Sequence, residues 1–107
     1  MDISLDGWDI GSFAAVDWVP WGSGDKARAK IVATGDGYMV AYVEAEPGYA
    51  GDAHEHSHTE FNFVIEGELR NQGRRMAKGD AYVAASGSTH ADFATDTGAT
   101  YLSIFKL

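Results

Sequence analysis

Cysteine is absent from this sequence. Disulfides and thiolate metal ligands are therefore excluded, and the absence fits a reducing, cytoplasmic setting. Basic residues are scarce: eight Lys and Arg stand against 16 Asp and Glu, for a formal net charge of −8. Nucleic-acid backbones and anionic membrane surfaces both attract basic proteins, so neither is an expected partner. A small anionic substrate stays open, because the local field of a pocket can oppose the net charge. No apolar run approaches the length of a membrane-spanning helix. The start, Met1-Asp2-Ile3-Ser4-Leu5-Asp6, lacks the basic and apolar regions of a secretion signal. Helical periodicity is hard to find anywhere.

What is present is β-type patterning. Of the 107 residues, 45% are apolar, enough for one modest core, and residues 1–107 are expected to form one domain. Thirteen glycines suit a chain with many tight turns. Strands are expected at Phe13–Val19, Ala27–Ala33, Tyr38–Glu46, Glu60–Arg70, Arg74–Ala77, Ala81–Ala85, His90–Ala94 and Thr100–Lys106. Between them lie Gly35-Asp36-Gly37, Pro47-Gly48, Asn71-Gln72-Gly73, Lys78-Gly79-Asp80, Ser86-Gly87-Ser88 and Asp96-Thr97-Gly98, all rich in turn-forming residues. Many short strands at close spacing predict an all-β sandwich or barrel. A parallel α/β fold has no room for its crossover helices.

All four histidines lie between positions 54 and 90, three of them in His54-Glu55-His56-Ser57-His58-Thr59-Glu60. Imidazole and carboxylate are the usual ligands of Zn, Fe, Mn and Ni. His54 and His56 would share one face of a strand. In a straight strand Glu60 would be roughly 20 Å from His54, at about 3.3 Å per residue. Ligand atoms sit about 2 Å from a shared ion. If these residues hold one ion, the chain must turn at Ser57, His58 and Thr59. His58 then stands at the corner, as a pocket-mouth or proton-moving residue rather than a ligand. The bland alternative is a polar loop with surface histidines. Three His and a Glu within seven residues, with His90 after a second Gly-rich turn, favour a metal site.

Beyond the corner, Glu60 and Asn62 share the inner face, and Asn62 and Tyr82 are candidates to line a substrate pocket. Phe61, Phe63 and Ile65 take the outer face, too apolar to be left in water. Together with Trp8, Trp18 and Trp21, they suggest a homodimer. The tryptophans themselves could form a wall over the pocket or cover an outer sheet face. Lys26, Arg28 and Lys30 alternate and share one strand face. That face is either solvated or turned inward, where Arg28 would hold a substrate carboxylate. Gly22-Ser23-Gly24-Asp25 lacks the Lys of a phosphate-binding loop.

These residues match a family pattern. Gly48, five residues, His54-Glu55-His56, three residues, Glu60, six residues and Gly67 resembles the first motif of the cupin superfamily. Gly79, five residues, Ala85-Ser86-Gly87, two residues and His90 resembles the second. The family usually carries Pro at the position of Ala85 and Asn at that of Ala94, departures that spare the ligand positions. The resemblance implies a jelly-roll β-barrel (a double-stranded β-helix). It also implies a divalent transition metal (Fe, Mn, Ni or Zn) held by His54, His56, Glu60 and His90. The first half resembles small cupins that open unsaturated sugar acids. The second half resembles cupins appended to anti-sigma factors and found in some ring-cleaving dioxygenases. Three functions follow: dioxygen-dependent oxidation of a small keto, enol or phenolic compound; a non-redox isomerisation or ring opening with Glu60 or His58 moving a proton; or a ligand-sensing module without catalysis.

Overall fold

The structure is a computed structural model. It describes residues 4–5, 7–52, 54–55, 57–90 and 92–106, with the backbone alone for residues 4, 5, 54, 55 and 90. In chain order the strands are β1 (Ser4–Leu5), β2 (Trp8–Asp9), β3 (Val19–Pro20), β4 (Ala27–Gly35), β5 (Tyr38–Ala45), β6 (His54–Glu55), β7 (Glu60–Asn71), β8 (Arg74–Ala77), β9 (Ala81–Ala84), β10 (Thr89–His90) and β11 (Ala99–Lys106).

Seven strands form one antiparallel sheet in the order β3-β4-β5-β11-β7-β8, with β9 also paired to β7. The long β7 thus pairs with β11 along one edge. Along the other it pairs with β9 through residues 60–63 and with β8 through residues 68–71. A second wall is built from β6 and β10. It continues at Ala94, which bridges both Ala50 and Arg70. The sheets face each other in the jelly-roll manner. The hairpin of β1 and β2 pairs with itself.

Alternation explains which residues enter the core. On β5, Ala41, Val43 and Ala45 are buried; on β11, Ala99, Tyr101 and Ser103 are. The small alanines leave room for Tyr49, Phe93 and Tyr101 in the same cluster. Strand β7 breaks the alternation. Asn62 and Val64 are buried, and then so is Leu69. The register with β11 runs Tyr101 to Val64 and then Thr100 to Glu66, passing over Ile65. This bulge reverses the parity of the strand. Leu69 turns inward, while Glu66 and Glu68 turn outward to pair with Lys78 and Arg75. Ile65, expected on the outer face with Phe61 and Phe63, is instead the bulged residue. Close by, a Cβ at Gly67 (φ +78°) would stand 2.1 Å from the Gly98 carbonyl oxygen. The Gly ending the first motif is therefore demanded by backbone contact.

Two expected turns take the form that their residues dictate. Asp36-Gly37 and Gln72-Gly73 each place both central residues at positive φ, joining β4 to β5 and β7 to β8 by two-residue loops. Two expected strands do not form as such. Phe13–Val19 contains a 3-10 turn at Phe13–Ala15, and pairing begins only at Val19. The reason is that Phe13 and Trp18 pack edge-on or tilted against Tyr42 across the outer face of β5 instead of alternating. His90–Ala94 is strand only at Thr89–His90, with Ala94 an isolated bridge. The solvated reading of the Lys26, Arg28 and Lys30 face fails at Lys30. Its residue is only 7% exposed; its ammonium donates to the Phe13 carbonyl at 2.7 Å and sits 4.2 Å from the Phe13 ring.

Candidate metal and substrate site

The expected corner is present. Strand β6 ends at Glu55, the backbone bends at Ser57 and His58, and β7 begins at Glu60 in the other sheet. The chain therefore crosses between walls inside the histidine cluster. On the second wall the register of β6 and β10 sets His54 directly opposite His90. Directly opposed residues of an antiparallel pair have Cβ atoms about 4.5–5.5 Å apart. Two expected ligand positions, distant in sequence, thus become backbone neighbours. His56 lies outside the described residues. Among the described residues no three His, Asp or Glu groups gather closely enough to hold an ion.

Between the walls lies a cavity of about 780 Å³, lined by His58, Glu60 and Asn62 among others, a size suited to a small organic ligand. The expected pocket residue Asn62 is 3% exposed, and its Nδ2 donates to Glu60 Oε2 at 2.8 Å. Across the sheet Asn62 has Ser103 on β11 and Tyr82 on β9 as register partners. Aromatic side chains dominate the walls: Trp21, Tyr49, Phe93, Tyr101 and Phe105. Trp21 meets Phe105 at 5.9 Å between centroids and donates a hydrogen bond to the Tyr101 hydroxyl, which bonds in turn to Tyr49. Burial, above all, holds the hydroxyls of Tyr49 and Tyr101 above the usual tyrosine range. Nearby Asp52 adds to the effect on Tyr49; Tyr49, Tyr82 and Glu60 add to it on Tyr101. Both tyrosines are thus neutral hydrogen-bonding groups at the cavity wall.

Other expected pocket residues lie elsewhere. Tyr82 does not line this cavity. It stands beside Asn62 on the neighbouring strand β9, where burial, with the Glu60 carboxylate nearby, pushes its hydroxyl well up. Arg28 does not line it either. It lies on the outer face, bonded to Glu44 at 2.8 Å and 3.9 Å above the Trp18 ring. The inward reading of Arg28 fails because the inner positions of β4 belong to Ala29 and Ile31, its neighbours in the alternation. The tryptophans divide: Trp21 walls the cavity, Trp18 covers the outer face, and Trp8 is 66% exposed. Sequence reasoning missed Tyr49, Phe93, Tyr101 and Phe105. Alternation along β11 from Ser103 could have found Tyr101 and Phe105. Tyr49 and Phe93 sit in loops and carry no such signal.

The donor chemistry fits a divalent transition metal. Histidine positions at 54 and 90 meet in register, and the carboxylate of Glu60, which lines the cavity, accepts a hydrogen bond from the Asn62 amide.

Residues 9–106 match the family described as the ChrR cupin-like domain. The pectin degradation protein KdgF of Dickeya dadantii is 27% identical over 96 residues, covering 84% of this chain and 87% of that protein. The structure of KdgF from Halomonas sp. is 25% identical, with a TM-score of 0.75 over 92% of this chain and 93% of that one. An acetylacetone dioxygenase from Acinetobacter johnsonii shares the fold, at 13% identity, with a TM-score of 0.78 over 99% of this chain and 80% of that one.

Proposed function

Because the chain belongs to the ChrR cupin-like family, we propose that it is a metal-dependent enzyme acting on a small organic molecule with oxygen donors. Dioxygen-dependent oxidation of a keto, enol or phenolic compound is the leading reaction. One observation carries the reading: an aromatic-walled cavity is lined by Glu60 and by the corner residues Ser57 and His58, which join β7 to the strand pair bearing His54 and His90. His54, His56, Glu60 and His90 would hold the ion, Fe, Mn, Ni or Zn. When bound, it supplies Lewis acidity and, as iron or manganese, one-electron chemistry.

The chain's own residues do the rest. Trp21, Phe93 and Phe105 enclose a flat, largely apolar substrate and keep water from it. The neutral hydroxyls of Tyr49 and Tyr101 can hydrogen-bond and orient its oxygens. His58, exposed at the corner yet lining the cavity, is in position to exchange a proton between substrate and solvent. The outer row of Phe61, Phe63, Val83 and Ile104 (37–59% exposed) supports a homodimer, and the lack of cysteine is in keeping with a cytoplasmic setting.

The test is oxygen uptake by Fe(II)-loaded protein with a panel of β-diketones, enols and catechols. Uptake that falls at least about 100-fold in Glu60→Ala and His56→Ala is the expected result. If no compound is consumed, the oxidative reading fails.

A second reading is favoured by the Dickeya dadantii relative, a pectin degradation protein: ring opening or isomerisation of an unsaturated sugar acid. Turnover of such a compound by the Zn-loaded protein under strict anaerobiosis would replace the first reading with this one.

A further inference from the structure

We infer that Asn62 is a positioning residue: its side-chain amide fixes the Glu60 carboxylate in one orientation and sets how tightly the site holds its ion. The inference rests on the metal reading of His54, His56, Glu60 and His90. It starts from one contact, Asn62 Nδ2 to Glu60 Oε2 at 2.8 Å.

Three observations give that contact its weight. Asn62 is 3% exposed, so its amide stands out of reach of bulk water. A buried amide is costly unless it is hydrogen-bonded, and Glu60 is the acceptor that its Nδ2 has. Asn62 also sits mid-sheet, with register partners on both sides, Ser103 on β11 and Tyr82 on β9. Its backbone is therefore held by pairing on both edges and cannot slide. Glu60, by contrast, is the first residue of β7, next to the corner at Ser57 and His58. A carboxylate at a strand end has rotamers to choose from, and a hydrogen bond from a fixed neighbour selects one. The two residues share a strand face two positions apart, so the contact is built into the pleat.

The consequence is energetic as well as geometric. Once Asn62 engages Oε2, Glu60 no longer gives up the rotamer freedom of a long side chain when an ion arrives. Groups that hydrogen-bond a ligating side chain typically govern metal affinity by roughly 10–100-fold. With Oε2 engaged, the Glu60 carboxylate would meet an ion in one set orientation rather than in several. Loss of the amide would therefore change the ligand field as well as the affinity.

The experiment compares metal-free wild type, Asn62→Leu and Asn62→Ala by thermal melting. Each is then titrated with Co(II), following the visible absorption of the bound ion. The expected result is three proteins with similar melting, roughly 10–100-fold weaker Co(II) binding in both variants, and a changed absorption band. Leu keeps the branched outline but drops the amide; Ala removes the amide without risk of overpacking. If the variants fold and bind Co(II) with wild-type affinity and spectrum, the positioning role is overturned and the metal reading stands. If wild type itself takes up no Co(II), the metal reading falls and this inference falls with it. If neither variant folds, Asn62 is a structural residue and the positioning role is overturned.

Discussion

At the residue scale, two tyrosines of the cavity wall, Tyr49 and Tyr101, tie stability to alkaline pH. Both are buried, at 4% and 3% exposure, and burial is the main cause holding both hydroxyls above the unfolded value of 10.0. Below pH 10 the folded and unfolded chains bind the same protons at these groups, and their contribution is fully present. Above pH 10 the unfolded chain releases protons that the folded chain keeps, so stability falls as pH rises. Each hydroxyl contributes a slope of up to about 1.4 kcal/mol per pH unit until its folded pKa is reached. Urea midpoints measured between pH 8 and 11 should hold steady and then decline above pH 10. Tyr49→Phe should make that decline shallower. An unchanged slope in the variant would refute the assignment.

At the element scale, the segment before β3 is held down by an unusual fastener. Lys30 projects from the outer face of β4 into a group made by Phe13, Trp18 and Tyr42. Its Nζ bonds the Phe13 carbonyl at 2.7 Å. A charged hydrogen bond is worth about 1.5–3 kcal/mol, and cation–π contact adds about 0.5–2. Lys30→Met keeps much of the apolar stem and removes both. It should cost roughly 1–3 kcal/mol, speed proteolysis within residues 10–18 and red-shift tryptophan emission. Wild-type proteolysis and emission in the variant would show that packing alone holds the segment. Alternation in the sequence located β5 and β11 well, because each keeps its period for eight residues, and it located β4 although the pairing with β5 passes over Val32. It failed at Phe13–Val19, where aromatic packing across a neighbouring face replaced pairing. It failed again after Ile65, where one bulged residue reverses every later assignment on β7.

At the scale of the whole molecule, the outer face of β7, β9 and β11 is the surface to test. Phe61 (54% exposed), Phe63 (45%), Val83 (59%) and Ile104 (37%) lie together on it, in a chain of net charge −8. Like-charged copies repel over most of their surface, and an uncharged apolar patch is where association costs least. Light scattering at micromolar concentration should give twice the chain mass for wild type and the single mass for Phe61→Lys/Val83→Lys. A wild-type monomer would rule the dimer out.

The sequence by itself determined the all-β class, the two-residue hairpins and the residues with ligand chemistry. These depend on local rules: side-chain period, turn residues and donor atoms. It also made a corner at Ser57, His58 and Thr59 the condition for His54 and Glu60 to share one ion, because a straight strand would hold them too far apart. Tertiary structure alone decided the pairing of His54 with His90, the aromatic enclosure by Tyr49 and Phe93, and the outward course of Arg28. Each of these depends on strand register or on contacts between segments far apart in the chain. A one-residue shift in register moves every side chain of a strand to the opposite face, and short-range patterns carry no information about that choice.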